Sequence, residues 1–467
     1  MKSLPTGSLP GLARIALVAS LLVASVGMAS DWPTYRRDNQ RSGVTPDVLT
    51  FPLQQNWALR MAHAPKPAWE APRTVPVEGI LELGRVQFDD TYQPVIVGGT
   101  VFLSTSADHR VCAIDAATGK IRWQRFAEAP IRLAPVVWEG GVYVTADDGT
   151  AYCFDAATGK TRWQRLLAPR VDRLLGNARM VSRWPCRTGI MIEGGTAYAA
   201  VGIWPSEGVY IEALNPKTGK TIWRNDRLGE TTETYVSPQG YLLATKDLLF
   251  VPQGRVSPAA FSRQTGKHLF VQRFGKNVGG TWALLAGDTL YTGTEEVMAY
   301  NTKNRSRFAW FKGRQLVVTD GRHYTADGKN LAAMQTDAYG KPSLARFSLR
   351  DARTRDKRAV SLAKRSARTA KDKAKTQATK LAALDKALAA LAQDAPERVA
   401  KQAARDAQKA ASDALQAALD RANENLTGSN ERMAETERRW VAAAAGMKAG
   451  TGWETPCAAA EAMIVVG

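Results

Sequence analysis

The chain has 467 residues, carries 63 Lys and Arg against 44 Asp and Glu for a net charge of +19, and is 45% hydrophobic. That length exceeds one ordinary core, and that apolar share is too high for a disordered chain. The 38 Gly and 13 Trp speak against an all-helical protein and fit β-repeats joined by tight turns.

Residues 1–30 read as a secretory signal peptide. Lys2 and Arg14 flank the start of an apolar run from Ile15 to Met28, closed by the small residues Ala29 and Ser30. The run is short for a permanent membrane span, and no Cys follows it to carry a lipid anchor. The expected product is exported, periplasmic or secreted. Four Cys remain, Cys112, Cys153, Cys186 and Cys457. Cys112 and Cys153 point to opposite faces of successive repeats, so they read as small buried hydrophobes rather than a disulfide framework.

From residue 111 the chain repeats itself. "VCAIDAATGKIRWQR" at 111–125 returns as "AYCFDAATGKTRWQR" at 151–165 and, more loosely, as "IEALNPKTGKTIWR" at 211–224. Within 140–165, VYVTA reads as a strand, Asp148-Gly149 as a two-residue hairpin turn, AYCFD as the return strand and KTRWQ as a third strand. Asp155 opens the next turn, where its carboxylate can accept backbone N–H bonds, and Gly159 supplies a left-handed residue. A sheet this small cannot bury both faces alone and needs neighbours. Trp123, Trp163 and Trp223 recur at one place in the repeat, which favours packing between sheets over ligand stacking. With Asp115, Asp155, Gly119, Gly159 and Gly219 they form the expected blade-docking set.

The pattern A-x-D-x-x-T-G-K-x-x-W resembles the repeat of the PQQ-like β-propeller family, which includes BamB-type outer-membrane assembly factors and pyrroloquinoline-quinone dehydrogenases. A fourth copy at 259–272 keeps Thr265-Gly266-Lys267 and replaces the Trp, and further blades are implied at 288–304 and 315–334. "DWPTYRRDNQRSG" at 31–43, with Trp57 further on, is similar to the start of exported members. The resemblance implies an all-β fold over 31–345, a β-propeller with about eight blades when complete and about six recognisable here.

From Leu349 to about residue 445 Ala, Lys, Arg, Asp and Gln dominate, and Leu381, Leu384, Leu388 and Leu391 step by three and four. This reads as a basic α-helical coiled-coil hairpin, broken at Asp394-Ala395-Pro396, with "NLTGSN" at 425–430 as a turn before a third helix. Residues 446–467 end in AMIVVG, which reads as the opening strand of a further blade. The helices are therefore expected between two blades, and the chain is expected to stop in mid-blade, as a fragment of a longer protein. The Lys/Arg-rich stretch 350–375 offers a contact for an anionic surface or reads as a solvated helical face.

No nucleophile elbow, phosphate loop or zinc-hydrolase pattern occurs, and His63, His109, His268 and His323 lack metal-ligand spacing. No catalytic or metal residue is assigned. His109 is expected in an exposed hairpin turn. The family resemblance implies, for a quinone enzyme, a calcium held by Glu, Asn and Asp and a Trp beneath the ring. Trp184, Trp204 and Trp282 are the candidates for that floor, and pyrroloquinoline quinone with calcium is the alternative to no cofactor. The leading expectation is a non-catalytic scaffold binding other cell-envelope proteins, with nucleic acid not expected. A quinoprotein dehydrogenase, or the propeller module of a larger protein, stands as the alternative.

Overall fold

The computed structural model describes residues 30–69, 88–230, 235–254, 256–271, 279, 282–293, 296–313, 315–457 and 463–466. The signal-peptide segment lies outside them, apart from Ser30. Among the described residues the chain forms six four-stranded sheets in sequence order, each an antiparallel meander, together with a two-helix insertion. The fold is an all-β propeller.

Sheet 1 shows the plan: Val95–Val97, Thr100–Ser104, Arg110–Asp115 and Ile121–Phe126 run from the ring axis outward. Sheets 2 to 5 follow over 136–166, 190–228, 243–271 and 283–312. Apolar cores fill the spaces between consecutive sheets. Val111, Trp123 and Phe154 lie between sheets 1 and 2, Cys153, Trp184 and Ile192 between sheets 2 and 3, and Ile211, Leu249 and Phe261 between sheets 3 and 4. Cys112, Cys153 and Cys186 are buried free thiols, and burial pushes the Cys186 thiol up to about 12. Within sheet 2 the turn differs from the two-residue hairpin expected at Asp148-Gly149. Its strands end at Thr145 and resume at Thr150, and of the two turn residues Gly149 alone has positive φ. The Asp148 carboxylate instead accepts from Thr150 N at 2.8 Å and Tyr152 Oη at 2.6 Å.

Sheet 6 departs from the expected order. Its first three strands are Gln315–Thr319, Arg322–Ala326 and Asn330–Gln335. Its fourth, Thr451–Pro456, arrives only after two helices, α1 (Thr336–Ala389) and α2 (Arg398–Gly450). The insertion sits inside one blade, in the turn before its outer strand, and not between two blades. Helix α1 begins thirteen residues before the Ala/Lys-rich composition does, because Gly340 and Pro342 are absorbed by close packing. Gly340 lies on Phe308, and Pro342 on Gly446. Helix α2 runs unbroken through "NLTGSN", where Ser429 is buried and Thr436 Oγ1 donates to Asp356 at 2.7 Å. The helices are antiparallel, as Arg353 pairs with Glu437 and Asp385 with Arg405. Past the sixth sheet, Val465–Val466 pairs in parallel with Val44–Thr45.

Candidate functional site: a docking face

The repeated residues lie at the junctions between sheets. The Trp123 indole donates from Nε1 to Ala156 O at 2.9 Å, and its ring covers Gly159 so closely that a methyl group there would sit 2.6 Å from it. Trp163 donates to Pro216 O at 2.8 Å over Gly219, and Trp223 donates to Arg263 O at 2.9 Å over Gly266. Trp57 makes the same contact on Gly119, donating to Ala116 O at 2.8 Å. Asp115 and Asp155 hold the turns themselves. Each accepts from a Thr three residues on and pairs with an Arg, Arg122 or Arg162, which brings both carboxyls down to about 2. The eight residues of the expected docking set are spread around the ring and converge on no single point.

The axis is filled by the chain itself. The segment beginning "DWPTYRRDNQRSG" touches every sheet. Trp32 N donates to Ile96 O of sheet 1, Val137 N of sheet 2 to Pro33 O, and Asn39 Nδ2 to Ile192 O of sheet 3. Arg41 donates from Nε and Nη2 to Leu242 O beside sheet 4, Leu285 N of sheet 5 donates to Gln40 O, and Arg36 donates to Leu316 O of sheet 6. Arg41 is fully buried among carbonyls, and desolvation brings its guanidinium down to about 10. Tyr35 stacks flat on Tyr241 at 3.7 Å. Nothing in the sequence marks this role, since the partners lie up to 280 positions away without periodicity.

Beside the axis, residues 66–69 cross several loops as a strap. Lys66 N donates to Ser106 Oγ, Lys66 O accepts from Arg132, Pro67 O accepts from Asn177, and Trp69 Nε1 donates to Gln239. Beneath it Arg132 bridges Asp89 and Asp147 at 2.7 and 2.6 Å, all three buried. The Arg187 guanidinium lies over Trp69 at 4.7 Å. Burial pushes the Asp89 carboxyl up despite Arg132.

Next to the strap stands a hairpin, Arg173–Gly176 paired with Arg179–Ser182, whose two-residue turn, Asn177-Ala178, has positive φ throughout. Its cross-strand pair Leu175 and Met180 is 72% and 51% exposed, Leu174 on the other face is 42% exposed, and Val171 just ahead of the hairpin is 69% exposed. Trp204, on the same face, is 54% exposed and meets Trp69 edge-on at 6.2 Å. Basic residues rim the patch, with Arg173 paired to Glu128 and Arg183 to Asp172 and Glu207. A cluster of exposed large apolar side chains on a rigid hairpin suits contact with another protein. In the sequence this stretch passes for a variable loop between repeats, because its turn, Asn177-Ala178, is not among the dipeptides that mark a two-residue hairpin.

Two of the three candidate floor indoles have partners within the chain. Trp184 is buried under the Arg170 guanidinium at 4.9 Å and donates to Glu207 O, and Trp282 faces Arg36 at 5.6 Å. Among the described residues no three His, Cys, Asp or Glu side chains are placed to hold a metal ion. His109 is half-buried rather than exposed, at positive φ, with its imidazole pushed down by desolvation and by Arg179.

A ring of four-stranded sheets, clamped by Trp on Gly turns and closed at its axis, defines a repeat propeller. The family model described as outer membrane protein assembly factor BamB matches residues 62–204 and 206–435, and the chain belongs to this family of PQQ-like repeat propellers. Among solved structures it is similar to BamB from Moraxella catarrhalis, at 18% identity and a TM-score of 0.37 over 51% of this chain and 68% of that one. A quinohemoprotein alcohol dehydrogenase from Pseudomonas putida HK5 matches at 14% identity and 0.40, over 62% of this chain and 49% of that one, so the chain spans about half its length. A europium-containing methanol dehydrogenase matches at 12% and 0.44, over 66% and 84%. No curated protein matches the chain by sequence.

Proposed function

We propose that this chain is an exported, non-catalytic propeller that holds other proteins of the bacterial cell envelope, with the hairpin at 173–182 and Trp204 as its contact face. The observation that carries the reading is the exposed cross-strand pair Leu175 and Met180 on a hydrogen-bonded hairpin, with exposed Val171 just ahead of it. Family membership supports it, because the family is described by an outer-membrane assembly factor. The leader-like segment 1–30 supports export, and among the described residues no helix is long and apolar enough to cross a membrane.

The test places a photo-crosslinking amino acid at Leu175 in the full chain, expressed in a bacterial host with its leader. A discrete protein adduct in the envelope fraction, abolished by Met180→Asp, is the expected result. Calorimetric titration with pyrroloquinoline quinone and calcium is the second arm, expected to give no saturable heat. Absence of any adduct, or tight calcium-dependent quinone binding, would sink the reading.

A further inference from the structure

The helical hairpin has two unlike faces. Along its inner seam Val360, Ala363, Ala367, Ala370 and Ala374 are buried or half-buried at spacings of 3, 4, 3 and 4. Along its outer face Lys357, Lys364, Arg368, Lys371 and Lys375 are all exposed, at spacings of 7, 4, 3 and 4. Such spacings put five cations in single file along one face, over about 27 Å. Arg358 and Arg365 flank the file, also exposed.

None of these seven makes an ion pair among the described residues, whereas other cations of the hairpin do. Arg350 pairs with Glu296, Arg353 with Glu437 and Arg405 with Asp385. The carboxylates beside the file, Asp372 four residues from Arg368 and Glu437 near Lys357, make no ion pair with it among the described residues and are outnumbered by its cations. Like charges at i, i+3 and i+4 repel one another and cost helix stability. The packed seam tolerates that cost, but a solvated face with no ligand gains nothing from it.

We infer that this file binds a linear polyanion, a flexible chain of phosphate groups lying along α1. Two alternatives fit less well. The stretch of α2 between Gln408 and Thr436, which contact Gln377 and Asp356, carries Asp413, Asp420, Glu424, Glu431 and Glu435 against Lys409, Arg421 and Arg432. The positive potential is thus a strip and not a sheet, and the file has no apolar side chain to enter a bilayer. It has no aromatic side chain either, which is what base stacking in single-stranded nucleic acid requires. The aromatics of the arm lie at its base: Tyr339 packs on Phe311, and Phe347 and Trp440 lie beneath Arg346, Arg350 and Arg353. The inference goes beyond the protein-docking reading and does not depend on it.

The experiment uses the full chain and fluorescence anisotropy of labelled inorganic polyphosphate at several salt concentrations. Binding is expected, with an affinity that falls steeply as salt rises. The triple variant Lys364→Glu/Arg368→Glu/Lys371→Glu should weaken it at least tenfold at about 0.1 M salt without lowering the melting temperature, since all three side chains are solvated. The comparison variant Lys120→Glu/Lys160→Glu/Lys267→Glu changes net charge equally on exposed propeller turns and should weaken it less than threefold. Equal losses in the two variants would make the effect one of net charge and overturn the file. Tighter arm-dependent binding to vesicles containing phosphatidylglycerol would assign the surface to a membrane, and tighter binding to single-stranded DNA would assign it to nucleic acid. Either result overturns the inference. Crosslinking from position 175 is untouched by the arm variants, so failure here and failure of the docking face are separable.

Discussion

The junction between sheets 1 and 2 and the outer edge of sheet 6 use the same residue for opposite ends. Trp123 and Trp453 hold the same register place, each opposite an Ala of the preceding strand, Ala113 and Ala333. Trp123 is 7% exposed, clamped on the Gly159 turn of the next sheet, whereas Trp453 is 45% exposed and among the described residues has one aromatic contact, Tyr324 of its own sheet. Among the described residues no apolar core joins sheet 6 to sheet 1. Sheet 1 is instead covered by Trp57, Met61 and Tyr92. The difference teaches that a docking residue stabilises only in proportion to what covers it.

The sharpest way to break this comparison is Trp123→Ala. Loss of a buried indole, its hydrogen bond and its packing on Gly159 should cost about 3–5 kcal/mol, read as the shift in urea midpoint of a cooperative transition. A cost below about 1 kcal/mol would mean that the blades are held by the axial segment and not by their junctions.

Among the described residues no indole-on-glycine contact appears at the junction of sheets 5 and 6, and a buried histidine there is expected to make it sensitive to pH. His323 is buried, stacks on Phe311 at 4.4 Å, and meets Tyr291 Oη at 2.8 Å and Thr336 Oγ1 at 2.9 Å. Desolvation takes its imidazole from 6.5 down to about 4. The folded state therefore prefers the neutral ring. This contribution is whole above about pH 6.5 and is lost as pH falls from there toward 4, with a slope of at most about 1.4 kcal/mol per unit. Stability of the wild type minus that of His323→Gln, measured across that window, should fall with acid. A flat difference would show that His323 titrates alike in folded and unfolded chains.

A smaller effect comes from the turn side of the clamp. Gly159 has φ of +69° and the Trp123 ring against its α-carbon, whereas Gly98 has φ of +53° and nothing within 4 Å of an added methyl. Gly98→Ala carries only backbone strain, about 1 kcal/mol. Gly159→Ala adds the clash and should cost about 2 kcal/mol more. Equal melting temperatures for the two variants would dissolve the clamp.

The clamps were legible in the sequence because they recur. Asp115, Gly119 and Trp123 repeat as Asp155, Gly159 and Trp163, and a place that repeats must serve something each copy shares. What occurs once was not legible. Arg36 and Arg41 satisfy themselves on carbonyls of distant sheets, and no local pattern announces a side chain that bonds to backbone. Strand Thr451–Pro456 was hidden because two helices separate it from its sheet, and Gly340 and Pro342 masked the start of α1 because their cost is offset by tertiary contacts. The exposed hairpin at 173–182 turns at Asn177-Ala178, a weak turn signal, and its solvent exposure is what makes it a candidate contact face.

The smallest effect is the most telling. Trp453→Ala should cost less than about 1 kcal/mol, because nearly half of the side chain is already in water and no glycine turn lies beneath it. Near it in the ring order stand other exposed apolar side chains, Val48, Phe51 and Leu53 ahead of sheet 1 and Ile464 after sheet 6. If this edge is as open in solution, acrylamide should quench Trp453 fluorescence far more than Trp123 fluorescence, read in variants that keep each indole in turn. If Trp453→Ala instead costs as much as Trp123→Ala, the indole is covered in solution. The edge of sheet 6 would then be a junction of the same kind as the others, with its own turn upon it.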